Sequence, residues 1–274
     1  MRLTMLAICW LLFSRGVGQT ATLQDKYPVD SGYFTSFDGV RIYYESRGVG
    51  MPVLLVHGFI VNSNMWKPSR LYADLPAAGY RVVLLDLRGN GRSDKPRDST
   101  AYDNDAEAKD IMLLMDHLKI KQYAGVGYSR GSIITARLLV LDKRVKAAVL
   151  GGMGIDFTNP EWPRRKMFYH ALRGDDVPEL KATMDNIDRQ GLDRVALTWM
   201  QRSQPSTPEK ILAKLPQPVL IACGDKDDTA SAAALAKIFR NSTYKIVPGD
   251  HGAASRTPEF SAAVLDFLDK RYRW

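Results

Sequence analysis

The amino-acid sequence predicts an α/β protein whose mostly parallel sheet is flanked by helices. Three observations lead to this prediction. Short apolar runs alternate with amphipathic segments of helical period along most of the 274 residues. An Asp-Gly step between the first two strands indicates a hairpin, and with it an antiparallel edge. Between about residues 155 and 214 the strand pattern stops and prolines recur, which indicates a helical insertion.

Eight segments have the composition of strands, and several are continuously apolar, as is typical of strands covered by helices on both faces. The predicted strands are residues 32–36, 40–45, 52–56, 81–86, 123–126, 145–150, 218–223 and 243–247. The predicted helices between them are residues 71–78, 106–118, 132–141 and 230–239. A last helix is predicted after Thr257, a suitable N-cap, with Pro258 at its first position and Glu259 in its first turn.

Length, charge and cysteine content narrow the function classes. A chain of 274 residues suits one large domain with a sizeable core. The formal net charge of +8 is scattered, with no basic helix or RNA-binding signature, so we expect a solvated basic surface and no nucleic-acid partner. The two cysteines are Cys9 near the N-terminus and Cys223 in an apolar strand, so Cys223 is predicted as a core residue and no disulfide framework is expected.

Residues 1–18 have the pattern of a secretory signal peptide. Arg2 supplies the positive start, residues 3–13 carry no charge, and the small residues 16–18 precede the predicted cleavage point. The apolar run is too short to span a bilayer, so we expect no stable membrane anchor. Cleavage would remove Arg2 and Arg15 and no acidic residue, which lowers the formal net charge from +8 to +6. The predicted location is secreted or periplasmic.

The predicted chemistry is organised around Gly-Tyr-Ser-Arg-Gly at residues 127–131. A buried strand precedes this stretch and a helix follows it, which is the context of a nucleophile elbow with Ser129 at the turn. The spacing Gly125-x-Gly127-x-x-x-Gly131 also has the form of a loosened dinucleotide fingerprint. That fingerprint normally opens a βαβ unit, whereas four predicted strands come first here, and the next strand ends in glycines rather than an acid. A nucleophile is therefore favoured.

A serine nucleophile needs a base held in the right tautomer. His251 follows the last predicted strand, so it shares the carboxyl edge of the sheet with Ser129 and is the predicted base. His117 lies on an amphipathic helix and is interpreted as a surface or packing residue. His170 lies in the helical insertion, where it could line a pocket, and His57 belongs to another element.

The acid that orients the base is predicted at another strand end, after the serine and before the histidine. Asp227 in the Asp-rich turn after residues 218–223 is the candidate, with Asp225 and Asp228 as local rivals. Asp156, just after an earlier strand, is the distant rival. An alternative interpretation is a turn that merely caps the next helix.

Two backbone N–H groups are predicted to form an oxyanion hole. His57-Gly58-Phe59 follows the third strand and would bring the N–H of Phe59 close to the elbow. The N–H of Arg130, at the start of the next helix, would be the second donor. The alternative is an ordinary strand-to-helix turn.

Together these pieces resemble the α/β-hydrolase family in order and spacing, and the resemblance covers nearly all of the mature chain. The matching motifs are residues 57–59, 86–93, 127–131, 224–227 and 250–252. The resemblance implies an eight-stranded α/β-hydrolase sheet with a helical cap, in a serine esterase-like branch. It implies a core of residues 19–154 and 215–274, a cap of residues 155–214, and a triad of Ser129, Asp227 and His251. Residues 86–93 are usually structural in relatives.

Four positions are compared with the branches of that family. A serine at the nucleophile position disfavours branches similar to haloalkane dehalogenases and epoxide hydrolases, which use aspartate. The missing Trp at the elbow disfavours branches similar to proline iminopeptidase. Arg130 is unusual, because many relatives have a neutral residue there; it would favour an anionic substrate group or form a salt bridge behind the elbow. Ser132 stands where many relatives carry glycine.

The predicted function is a serine hydrolase that cleaves a small or medium carboxylic ester through an acyl-enzyme, with no metal or organic cofactor. The expected partner is a small ester-like molecule. Alternatives on the same triad are a lactonase, a perhydrolase and a carbon–carbon bond hydrolase, and a non-catalytic ligand-binding receptor is the alternative from another class. Large apolar side chains of the insertion would either line a pocket or pack against the sheet; they are Trp162, Met167, Phe168, Tyr169, Trp199 and Met200.

Overall fold

The computed structural model describes residues 26–272, and the predicted signal peptide of residues 1–18 lies outside them. Eight strands form one sheet in the order β1-β2-β4-β3-β5-β6-β7-β8. The strands are β1 Val29–Thr35, β2 Arg41–Arg47, β3 Met51–Val56, β4 Tyr80–Leu85, β5 Tyr123–Tyr128, β6 Val145–Gly151, β7 Val219–Gly224 and β8 Ser242–Val247. The predicted eight-stranded sheet is confirmed.

The sheet is parallel except at one edge. β1 pairs antiparallel with β2, and β2 pairs antiparallel with β4, whereas all other neighbours run parallel. The first hairpin turns at Asp38-Gly39, where Gly39 has a φ of 87° that glycine adopts without strain. The mostly parallel sheet with an antiparallel edge is therefore confirmed.

Helices cover both faces of the sheet. The α-helices of the described residues are α1 Arg70–Ala77, α2 Ala106–His117, α3 Arg130–Leu141, α4 Pro163–Arg173, α5 Lys181–Arg189, α6 Arg194–Arg202, α7 Glu209–Leu212, α8 Thr229–Ile238 and α9 Pro258–Arg271. Within β3, Leu54 and Val56 join a buried cluster with α2, α3 and α8, whereas Val53 and Leu55 join a second cluster with α1 and α9. Alternate strand side chains thus feed two cores. Between residues 26 and 272, no helix is both long and apolar enough to cross a membrane.

Residues 155–214, called the helical segment below, connect β6 to β7 with helices α4 to α7 and without a strand. Their apolar side chains form a third buried cluster that includes Leu172, Ile187 and Met200. Phe59 and Ile60, from the loop after β3, pack against this cluster. The helical segment therefore contacts a loop at the carboxyl edge of the sheet.

Candidate active site

Ser129 stands on a strained turn between β5 and α3. Its φ of 53° and ψ of −125° lie outside the regions that non-glycine residues prefer. The turn is tight because its glycines touch backbone: a Cβ on Gly127 would lie 2.3 Å from the carbonyl oxygen of Gly131, and one on Gly131 would lie 2.2 Å from that of Val56. The turn leaves Ser129 partly exposed at the carboxyl end of β5.

The side chains of Ser129, His251 and Asp227 form one hydrogen-bonded chain. The imidazole Nε2 of His251 lies 2.9 Å from the Oγ of Ser129, and its Nδ1 lies 2.7 Å from the Oδ2 of Asp227. In a neutral imidazole that donates its Nδ1 proton to the carboxylate, Nε2 is free to accept the proton of the serine hydroxyl. The other carboxylate oxygen of Asp227 accepts the backbone N–H of Asp228 at 2.9 Å, which fixes the carboxylate.

The three rival aspartates have other partners. Asp225 accepts the N–H of Gly249 at 2.8 Å, and Asp228 caps α8 by accepting the N–H of Ser231 at 2.9 Å. Asp156 accepts the hydroxyl of Ser231 at 2.7 Å. The structure therefore places Asp227, the predicted acid, against the imidazole.

The other histidines lie away from this chain. His57 is fully buried; its Nε2 accepts the N–H of Leu87 at 2.9 Å and its Nδ1 donates to the carbonyl of Gly58 at 2.7 Å. Burial lowers the pKa of His57, so it stays neutral and ties the ends of β3 and β4 together. His117 packs at the end of α2 against the first hairpin, and His170 pairs with an aspartate on the surface.

The loop after β3 lies directly against the nucleophile. A Cβ on Gly58 would lie 3.5 Å from the Cβ of Ser129. Within residues 26–272, neither the backbone N–H of Phe59 nor that of Arg130 donates a hydrogen bond to another residue. Both groups are thus free to donate to a ligand oxygen beside Ser129, and their role as an oxyanion hole stays a prediction.

Comparison with known proteins identifies the family. The sequence profile of the alpha/beta hydrolase fold matches residues 51–169. A Synechocystis sp. protein, provisionally named as a non-heme chloroperoxidase, is 30% identical over an aligned length of 266. The alignment covers 84% of this chain and 95% of the relative. The chain belongs to the α/β-hydrolase family.

Other relatives of this α/β hydrolase carry several activities in their names. The non-heme chloroperoxidase of Streptomyces lividans is 29% identical over an aligned length of 269, and the alignment covers 83% of this chain and 95% of the relative. Among solved structures, an esterase from Exiguobacterium antarcticum has a TM-score of 0.72 at 22% identity, covering 88% of this chain and 100% of its own. The enol-lactonase of Burkholderia xenovorans LB400 has a TM-score of 0.71 at 21% identity, with 87% and 100% covered. At these identities the two structures show the shared fold.

Asn90 is a residue of the site that the sequence analysis missed. Its side-chain amide donates to the carbonyls of Phe59, at 2.8 Å, and Val61, at 3.1 Å, and so holds the loop that carries a predicted oxyanion donor. The signal in the sequence is its position within residues 86–93, for which only a structural role is expected. Asp86 is the first of residues 86–93 and accepts the backbone N–H groups of Ser63 and Arg92, each at 2.8 Å.

The side chain of Arg130 in this hydrolase lies in a buried salt bridge behind the elbow. Its guanidinium donates to the carboxylate of Glu107 at 2.7 Å and 2.5 Å, and to the carbonyl of Met200 in α6 at 3.2 Å. The side chains of Arg130 and Glu107 are 4% and 6% exposed. Of the two interpretations of Arg130, the geometry agrees with the salt bridge and not with a free cation for an anionic substrate.

The apolar side chains of the helical segment are mainly packing residues. Met200 is fully buried, and Met167 and Trp199 pack against the third cluster. Phe168 packs against the same cluster, and its ring also meets that of Phe59 edge-to-face, with centroids 5.8 Å apart. The helical segment therefore places one aromatic ring beside a predicted oxyanion residue.

Proposed function

We propose that this α/β hydrolase is a serine esterase that cleaves small or medium carboxylic esters through an acyl-enzyme intermediate. The observation that carries the proposal is the unbroken chain from Ser129 through His251 to Asp227, with contacts of 2.9 Å and 2.7 Å. Acyl transfer needs a serine nucleophile, a base within reach of its proton and an acid that fixes the base. This chain has all three groups, with the serine on a strained turn.

In the first half of the reaction, the Oγ of Ser129 attacks the ester carbonyl while its proton passes to Nε2 of His251. Asp227 stabilises the imidazolium that forms. The N–H groups of Phe59 and Arg130 donate to the tetrahedral oxyanion, and donors of this kind supply a large share of the rate acceleration in acyl transfer. When the intermediate collapses, the alcohol leaves with the proton from His251, and Ser129 carries the acyl group.

In the second half, water replaces the alcohol. His251 takes a proton from the water as its oxygen attacks the acyl carbonyl. The second tetrahedral intermediate collapses with Oγ as leaving group, and His251 returns the proton to it. The carboxylic acid departs and free Ser129 is restored.

The side chain of Arg130 does not favour an anionic ester. The charge of Arg130 is neutralised by Glu107, so it offers no free cation to a substrate carboxylate. From the helical segment, the ring of Phe168 meets that of Phe59 edge-to-face, with centroids 5.8 Å apart. An apolar acyl or alcohol group is therefore the preferred neighbour of the reacting carbonyl.

A second candidate function is perhydrolysis, in which hydrogen peroxide takes the place of water. Peroxide would lose a proton to His251 and attack the acyl carbonyl, and on collapse His251 would return that proton to the leaving Oγ of Ser129 as the peroxycarboxylic acid departs. The supporting observation is that relatives matching at 30% and 29% identity over most of their length are named as chloroperoxidases. The same residues serve both reactions.

Labelling with a fluorophosphonate tests the nucleophile. We expect the wild type to be labelled and Ser129→Ala to be unlabelled. Ser132→Ala is the matched control, because Ser132 lies one helical turn further and donates its hydroxyl to the carbonyl of Gly151 at 2.8 Å. Folded wild type without labelling would contradict the esterase and favour the ligand-binding receptor.

A substrate panel separates the reactions. Chromogenic esters of increasing acyl length, lactones and diketones are compared, and peroxycarboxylic acid is measured when hydrogen peroxide is added. We expect hydrolysis of short esters to dominate. Turnover of diketones or lactones alone would contradict the ester assignment, and peroxycarboxylic acid as the main product would favour the perhydrolase.

A further inference from the structure

The hydroxyl of Tyr128 reaches the backbone of the predicted base. Tyr128 is the last residue of β5 and directly precedes Ser129 in the chain. Its phenolic O–H donates to the carbonyl oxygen of His251 at 2.8 Å, and its ring lies 5.7 Å from the imidazole between centroids. One buried side chain thus joins the strand that carries the nucleophile to the loop that carries the base.

The ring of Tyr128 has no room to move. A Cβ on Gly151 would lie 2.8 Å from ring atom Cδ2, and one on Gly152 would lie 2.7 Å from Cζ. Phe260 of α9 closes another side with an edge-to-face contact of 5.9 Å between centroids. Since β5 is also hydrogen-bonded on both sides within the sheet, the hydroxyl has a fixed position.

The loop that carries His251 is exposed and needs such an anchor. His251, Gly252 and Ala253 are all exposed, and the imidazole side chain is 52% exposed. Asp250 turns the loop locally by accepting the N–H groups of Gly252 and Ala253 at 2.9 Å each. Gly249 ties the start of the loop to the end of β7, because its N–H donates to Asp225 at 2.8 Å and its carbonyl accepts the N–H of Lys226 at 3.2 Å. The bond from Tyr128 adds a tie to β5 at His251 itself, the residue whose side chain faces Ser129.

We propose that the hydroxyl of Tyr128 is a positioning group for the base: it holds the backbone of His251 so that Nε2 stays within reach of the Oγ of Ser129. This inference rests on the proposed role of Ser129, Asp227 and His251 in acyl transfer. Tyr128 contacts no reacting atom in this scheme. It acts through the distance between imidazole and hydroxyl, on which proton transfer depends steeply.

The variant Tyr128→Phe tests the proposal because it removes only the oxygen and keeps the ring. His251 lies on an exposed loop, so we expect the fold to be retained. With p-nitrophenyl acetate, we expect kcat to fall about tenfold while KM stays within about twofold. The variant leaves substrate binding unchanged but lets the imidazole of His251 move away from Ser129. The rate constant of fluorophosphonate labelling should fall with kcat.

Tyr272→Phe is the matched control. The hydroxyl of Tyr272 also donates to a backbone carbonyl at 2.8 Å, that of Pro52, on a side of the fold that carries none of the proposed catalytic residues. Its kcat and labelling rate should equal those of the wild type, and the melting temperatures of both variants should drop by a similar small amount.

The outcomes separate the two proposals. A lower kcat for Tyr128→Phe alone supports the positioning role. Equal kcat and labelling rates in wild type, Tyr128→Phe and Tyr272→Phe overturn it and leave the esterase proposal standing. A loss that appears only in KM, or that Tyr272→Phe shares, also overturns it. A wild type that is never labelled overturns the esterase proposal and the inference with it.

Discussion

Arg130 and Glu107 join the nucleophile elbow to α2 through two buried hydrogen bonds of 2.7 Å and 2.5 Å. The same guanidinium donates to the carbonyl of Met200 near the end of α6. The residue whose backbone N–H is a predicted oxyanion donor therefore also links the core to the helical segment. Its side chain is structural, whereas its main chain faces the proposed chemistry.

Removing one partner of this pair is expected to be costly. Glu107→Leu leaves the guanidinium of Arg130 buried without its counter-charge, and such losses typically cost about 3–5 kcal/mol of the free energy of unfolding. The double variant Arg130→Met/Glu107→Leu should recover most of that loss, because no buried charge remains. Urea denaturation of the wild type, both single variants and the double variant measures the coupling. Additive losses would contradict a direct pair.

Asn90 is expected to affect turnover through the loop that it holds. In Asn90→Asp, a carboxylate replaces the amide that donates to the carbonyls of Phe59 and Val61, so acceptors face acceptors and the loop shifts. Displacing one oxyanion donor costs about 10²-fold or more in kcat. We expect a loss of that order in ester hydrolysis with little change in KM.

Asn62→Asp is the matched control for that prediction. The side-chain oxygen of Asn62 accepts the N–H of Asn64 at 3.0 Å, and a carboxylate oxygen accepts it equally well. This substitution adds the same charge in the same region but keeps its hydrogen bond, so kcat should stay near that of the wild type. Equal losses in both variants would show that charge, rather than the position of Phe59, lowers turnover.

The sheet and the position of the three polar side chains follow from local sequence patterns. Continuous apolar runs can be buried only under helices, and parallel strands bring their carboxyl ends to one edge. Ser129, Asp227 and His251 each follow a strand, so their meeting was predictable without knowledge of any contact. Their catalytic roles stay predictions.

The contacts that position these groups could not be read from the sequence. The bond from Tyr128 to His251 joins residues 123 positions apart and depends on the register of β5 and on the shape of one exposed loop. Likewise, the sequence shows a positive charge at Arg130 but not which acid neutralises it. Such partners are set by tertiary packing, for which helical or strand period carries no signal.

The carboxyl of Asp86 is expected to make the stability of the fold depend on acid pH. Burial alone would raise the pKa of this carboxyl, but the N–H donors of Arg92 and Ser63 outweigh it, so the pKa lies below its ordinary value in the folded protein. Because the unfolded chain then binds the proton more tightly, Asp86 contributes its full stability above the unfolded pKa of about 3.9. That contribution is lost as the pH falls through the folded pKa.

Asp86→Asn removes this titration and keeps the size of the side chain. Near neutral pH the variant should have the lower free energy of unfolding, since its amide cannot accept both N–H groups that the two carboxylate oxygens accept. The difference from the wild type should shrink as the pH is lowered below about 4, because only the wild type loses this contribution there. Denaturation curves across that range measure it. A difference that stays constant, or grows toward acid, would mean that the carboxyl is not held ionised by these donors.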